Sequence, residues 1–147
     1  MLASMQLFAQ NFTLSTQVTN VSCNGTCNGS IDLTVSGGTP PGAYSYSWSN
    51  GGTTQDMTNL CAGTYTVTVF DANGSVKTTS ATITQPPPMV QILCATNVLC
   101  FGGNSGGITQ TVTGGTPSYT YLWGTGSTTK NISNVSAGTY KIGRAHV

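Results

Sequence analysis

Apolar and polar residues alternate in short runs along this chain, and Gly, Pro or Asn-Gly pairs break each run. Alternation with period two marks strands with one face buried. Phe12, Leu14 and Val18 lie on the first such strand, and Ile31, Leu33 and Val35 face inward on the second. Tyr44, Tyr46 and Trp48 share one face of the third. A short strand is expected over Thr53–Thr58, after the turn Asn50-Gly51-Gly52. Thr64–Phe70 alternates cleanly, and Asp71-Ala72-Asn73-Gly74 reads as a hairpin turn into a last strand, Ser75–Thr84. About seven strands in so short a segment suggest an immunoglobulin-like β-sandwich.

The pattern is written twice. Gly37-Gly38-Thr39-Pro40 followed by Tyr44, Tyr46 and Trp48 returns as Gly114-Gly115-Thr116-Pro117 followed by Tyr119, Tyr121 and Trp123. Thr19–Gly25 answers Thr96–Gly102, and Ala62–Tyr65 answers Ala137–Tyr140. The first copy carries two extra residues within Pro41-Gly42-Ala43, while the aromatic spacing stays fixed. A tolerant loop beside strands that keep register indicates tandem β-modules. The expected organisation is an N-terminal leader or fragment start (1–11), a first module (12–84), a proline linker (85–88), a second, incomplete module (89–142) and a non-native tail (143–147). Lys141–Val147 holds the chain's single Arg and single His and resembles translated adapter read-through.

Composition agrees with an all-β chain. Charged residues make up 5%, against roughly 25% in an average soluble domain. Thr, Ser, Asn and Gly supply polarity and disfavour helices. The net charge of +1 offers no basic surface for nucleic acid or anionic lipid. No apolar run approaches the roughly 18 residues that span a membrane, so no membrane insertion is expected.

Catalysis has little material. The single His lies in the suspect tail, and Asp32, Asp56 and Asp71 fall in three separate elements. No catalytic residue, cofactor or metal site is expected. Tyr65, following Leu60-Cys61-Ala62-Gly63, matches a tyrosine corner, as does Tyr140 in the second copy. Trp48 and Trp123 are read as core residues, the alternative being an exposed sugar-stacking strip. Cys27 and Cys61 are expected to bridge, because their counterparts Asn104 and Ser136 are both not cysteine. The pairing of Cys23, Cys94 and Cys100 stays open. A disulfide implies an oxidising, extracytoplasmic setting. The place to look for contacts is the rim formed by Pro41, Gly42, Ala43 and Tyr44.

Taken together, Val21–Gly25, Val35–Pro41, Tyr44–Gly51, Leu60–Val69 and Asp71–Gly74 resemble the SprB-type repeat. That resemblance covers nearly all of the first copy and most of the second. It implies tandem Ig-like sandwich modules of large secreted adhesins on the surface of Bacteroidota, including gliding-motility adhesins. It implies no catalytic residues. Family members often carry Cys directly after the Asp-Ala-Asn-Gly turn, where this chain has Ser75.

The expected function is a non-catalytic repeat segment of an extracellular adhesin, acting as stalk or multivalent surface. Its expected partners are other repeats of the same chain and a surface polysaccharide or protein. The alternative is a carbohydrate-binding or accessory module of a larger secreted hydrolase.

Overall fold

A computed structural model describes residues 11–38, 44–72 and 74–143. The expected leader and tail fall outside these residues except for Asn11 and Gly143. The chain divides into two compact units, 1–85 and 86–147. Among the described residues all regular structure is β, and every pairing is antiparallel.

The first unit holds β1 (Thr13–Thr19), β2 (Gly29–Ser36), β3 (Tyr44–Trp48), β4 (Met57–Leu60), β5 (Gly63–Asp71) and β6 (Val76–Ile83). They form two sheets, ordered β1-β2-β4 and β3-β5-β6. Alternation places Ile31 and Leu33 from one sheet against Trp48, Val67, Val69, Ala81 and Ile83 from the other, all buried. Phe12 and Val21 close the two ends of β1. This is the expected sandwich, with six strands among the described residues where the sequence suggested about seven.

The fourth strand starts later than expected, at Met57 rather than Thr53. The chain from Thr54 to Asp56 uses side chains in place of a ladder. Gln55 Nε2 donates to the Leu33 carbonyl at 2.6 Å. The Leu33 N–H donates to Asp56 Oδ1 at 2.9 Å. The β2–β4 pairing then shifts register, and Asn59 sits there at φ 56°. A left-handed residue in a bulge suits Asn, whose short polar side chain tolerates that region.

The second unit holds β7 (Val90–Thr96), β8 (Gly106–Thr113), β9 (Leu122–Trp123), β10 (Ile132–Val135) and β11 (Ile142–Gly143). Its sheets are β10-β8-β7 and β11-β9. Register repeats that of the first unit. Thr13 pairs with Ser36, and Val90 with Thr113. Trp48 pairs with Val67, and Trp123 with Ile142. The bulge returns with Asn134 at φ 56°.

The aromatic strand of the second unit is much shorter than its first-unit equivalent. Tyr44–Trp48 is held as a strand by pairing with Val67–Asp71. The counterparts of Val69–Asp71 fall at 144–146, outside the described residues, and Tyr119–Tyr121 carry no strand. Both faces of β7 are exposed, with Leu93 at 47% and Ile92 at 57%.

Amide hydrogen exchange should therefore differ between the units. The amides of β5 and β6 should be protected by at least about tenfold more than those of β7 and β11, because strand ends and edges open locally. Equal protection would contradict this.

Candidate functional site

The aromatic face of β3 is the feature a ligand would be expected to meet, and the fold turns most of it inward. Trp48 is 3% exposed. Its Nε1–H donates to the Thr54 carbonyl at 2.8 Å. Trp123 is 1% exposed, and its Nε1–H donates to the Thr129 carbonyl at 2.9 Å. A buried indole needs such a partner, and both units supply it six residues downstream. Neither ring offers a free face for stacking on a sugar.

Tyr44 is half-buried, against Phe12, with ring centroids 5.5 Å apart. Its hydroxyl donates to the Gly37 carbonyl, and the Tyr119 hydroxyl donates likewise to Gly114. Each Tyr is thus a strut across its own Gly-Gly turn. Those turns run through left-handed backbone, at φ 89° and 80° for Gly37 and Gly38. The Tyr44 ring lies where a Gly38 side chain would be, so glycine is required twice over at that position. The remaining rim candidates, Pro41, Gly42 and Ala43, lie outside the described residues.

Tyr46, between the two, is half-buried and hydrogen-bonds to Gln55 Oε1 at 3.0 Å. Burial, with smaller contributions from Tyr44 and the Asp56 charge, raises its phenol above the usual value of about 10. The phenol stays protonated and serves as a donor to the same Gln55 that bridges to β2.

The corner tyrosines behave alike. Tyr65 Oη–H donates to the Cys61 carbonyl at 3.1 Å, and Tyr140 Oη–H to the Ser136 carbonyl at 2.8 Å. Cys27 and Cys61 form a disulfide with Cα atoms 3.9 Å apart. It ties the loop before β2 to the corner before β5. In the chain-entropy model, closing a loop of that length stabilises by roughly 3 to 4 kcal/mol. Cys23, Cys94 and Cys100 are free.

The carboxylates do not converge. Asp32 is exposed on β2, and Asp56 is engaged by the Leu33 N–H. Asp71 ends β5 at the head of the expected turn, where the Gly74 N–H donates to its carbonyl at 2.9 Å, and it is buried, with neither carboxylate oxygen hydrogen-bonded. Among the described residues no three His, Cys, Asp or Glu side chains gather as a metal site would require.

Two features escaped the sequence reading. Asp56 and its counterpart Asn131 look unrelated in charge, yet Asn131 Oδ1 accepts the Gln110 N–H at 3.0 Å, as Asp56 does for Leu33. The shared property is a carbonyl-type acceptor at one position. Gln110 is also buried where the first unit has Leu33. It is paired through its Nε2–H to the Lys130 carbonyl at 2.6 Å and through its Oε1 to Gln91.

A small β-sandwich written in tandem, with its recurring aromatics spent on its own corners, turns and core, defines a repeat module. The SprB repeat model matches residues 15–53 and 94–128, and the chain belongs to that family. SprB repeats are non-catalytic and typical of cell-surface proteins. No curated protein and no solved structure matches the chain.

The corner bond has a direct test. Tyr65→Phe should cost on the order of 1 kcal/mol. In a domain of this size that lowers the first unit's melting midpoint by roughly 4–8 °C. An unchanged midpoint would show that the hydroxyl does not lock the corner.

Proposed function

We propose that this chain is a repeat segment of a secreted cell-surface adhesin, working as stalk or multivalent contact surface and catalysing nothing itself. One observation carries the reading. Every aromatic that recurs at the corner, the turn and the end of the third strand is tied down within its own module. What the repeat keeps is scaffold. Surface positions diverge freely, as Asn24 against Phe101 and Thr13 against Val90 illustrate.

A scaffold of this kind acts through number. Many weak contacts on one chain gain avidity without any single strong site. The disulfide suits an oxidising exterior, and the low charge leaves surface contacts to hydroxyl, amide and backbone groups. The carbohydrate-module alternative needs an exposed aromatic strip, and the buried indoles weigh against it.

The test compares beads coated with the chain at increasing density for retention on surface polysaccharide and on protein-coated glass. Retention should rise steeply with density, while the free monomer binds with Kd weaker than about 100 µM. A monomer that bound one soluble glycan at micromolar Kd, or that hydrolysed a chromogenic glycoside, would overturn the reading.

A further inference from the structure

Three strands of the second unit carry a depression on the sheet face turned away from the core. Ala95, Ile108 and Ile132 stand opposite one another across β7, β8 and β10. Ile132 is buried, so this row faces inward. The next row is Thr96, Gly107 and Ser133, again directly opposite one another. Alternation turns that row outward. Its central position has no side chain, so two hydroxyl residues flank bare backbone. In the first unit the same position is Ser30, opposite Thr19. The notch is thus a difference between the copies. The face itself is open in both. Thr19, Asp32 and Thr58 are exposed in the first unit, where β6 completes the sandwich.

The depression over Gly107 measures about 320 Å³, within the roughly 300–1,000 Å³ of small-ligand sites. Its polar lining is Thr96, Ser105, Thr109, Asn131, Ser133 and Asn134, none of them charged. Two of these are held in place from within the module. Ser105 Oγ accepts the Leu99 N–H at 2.9 Å, and Asn131 Oδ1 accepts the Gln110 N–H at 3.0 Å. Among the described residues the Thr96 and Ser133 hydroxyls are committed to no other protein group. Each can donate once and accept twice. An ion would find no counter-charge in this lining, and an apolar group would leave its hydroxyls without partners. The matching ligand is uncharged, rich in hydroxyls and about one ring in size. Glycine in mid-strand lets such a ring approach the sheet backbone closely.

We propose that this notch binds one neutral sugar residue of a surface polysaccharide, between Thr96 and Ser133 and over Gly107. The proposal rests on the reading of the chain as a multivalent contact surface and supplies one of its weak contacts. The notch is open to water on one side and its lining holds no aromatic ring, so affinity lies in the millimolar range. Glycine at 107 against serine at 30 decides which copy carries the site.

The experiment titrates the full chain with the methyl glycosides of glucose, galactose and mannose, each to about 100 mM, and follows backbone amide NMR shifts. At least one should move the Thr96, Gly107 and Ser133 amides saturably, with Kd between about 1 and 50 mM, while Thr19 and Ser30 stay unmoved. Gly107→Val, which fills the floor, and Ser133→Ala should each weaken binding by at least about threefold, and Ser133→Thr should keep it. Unchanged indole emission marks each variant as folded. No saturable shift with any of the three glycosides, equal shifts from glycerol at the same concentration, or full binding by a folded Gly107→Val or Ser133→Ala chain would overturn the notch. Bead retention that still rose with density would then leave the multivalent reading standing. A micromolar Kd at these amides would support the notch and overturn that reading instead.

Discussion

One buried indole holds each module together. An aromatic of this size buries roughly 200 Å², worth on the order of 5 kcal/mol at about 25 cal/mol per Å². Its N–H cannot be left unpaired inside the sandwich. The carbonyl that satisfies it belongs to Thr54 in the first unit and Thr129 in the second. That bond folds the chain after the aromatic strand back across the module. The next two residues are thereby delivered to the opposite sheet, where Gln55 and Asp56 meet the backbone of Leu33. The Trp therefore joins the two sheets by burial and, through its N–H, by polar contact.

The two units show which parts of this arrangement are free to change. Leu33 becomes Gln110 at a buried position, with its extra polar atoms paired to Lys130 and Gln91. Asp56 becomes Asn131 without loss of the acceptor. The disulfide between Cys27 and Cys61 is present in one unit only. Both corner tyrosines remain, as do both left-handed asparagines at the bulge. The geometry of corner, bulge and indole is fixed, while charge, staple and loop length vary. That division suits a module repeated with different surfaces.

Much of this was legible from the residues alone. Alternation located β1, β2, β3, β5 and β6 within a few residues, because each has one buried face. Comparing the copies pointed to Cys27 and Cys61, since both positions change together. Less legible was the fourth strand, where side chains of Gln55 and Asp56 stand in for ladder bonds and delay it to Met57. Alternation cannot register a strand edge satisfied by side chains. Nor can it tell that Tyr119–Tyr121 carry no strand, because strand state depends on a partner elsewhere in the chain. Asp71 opens the turn its neighbours announce, its carbonyl accepting the Gly74 N–H, but nothing in those neighbours tells that it is buried.

The claim that the recurring aromatics are scaffold and not binding surface is open to one direct measurement. Acrylamide quenching of indole fluorescence on the full chain reports on Trp48 and Trp123 together, with and without added polysaccharide. Buried, hydrogen-bonded indoles should emit at the blue end of the tryptophan range, quench weakly, and be unmoved by the glycan. Solvent-like emission with strong quenching, or a spectrum that shifts on adding polysaccharide, would contradict the account.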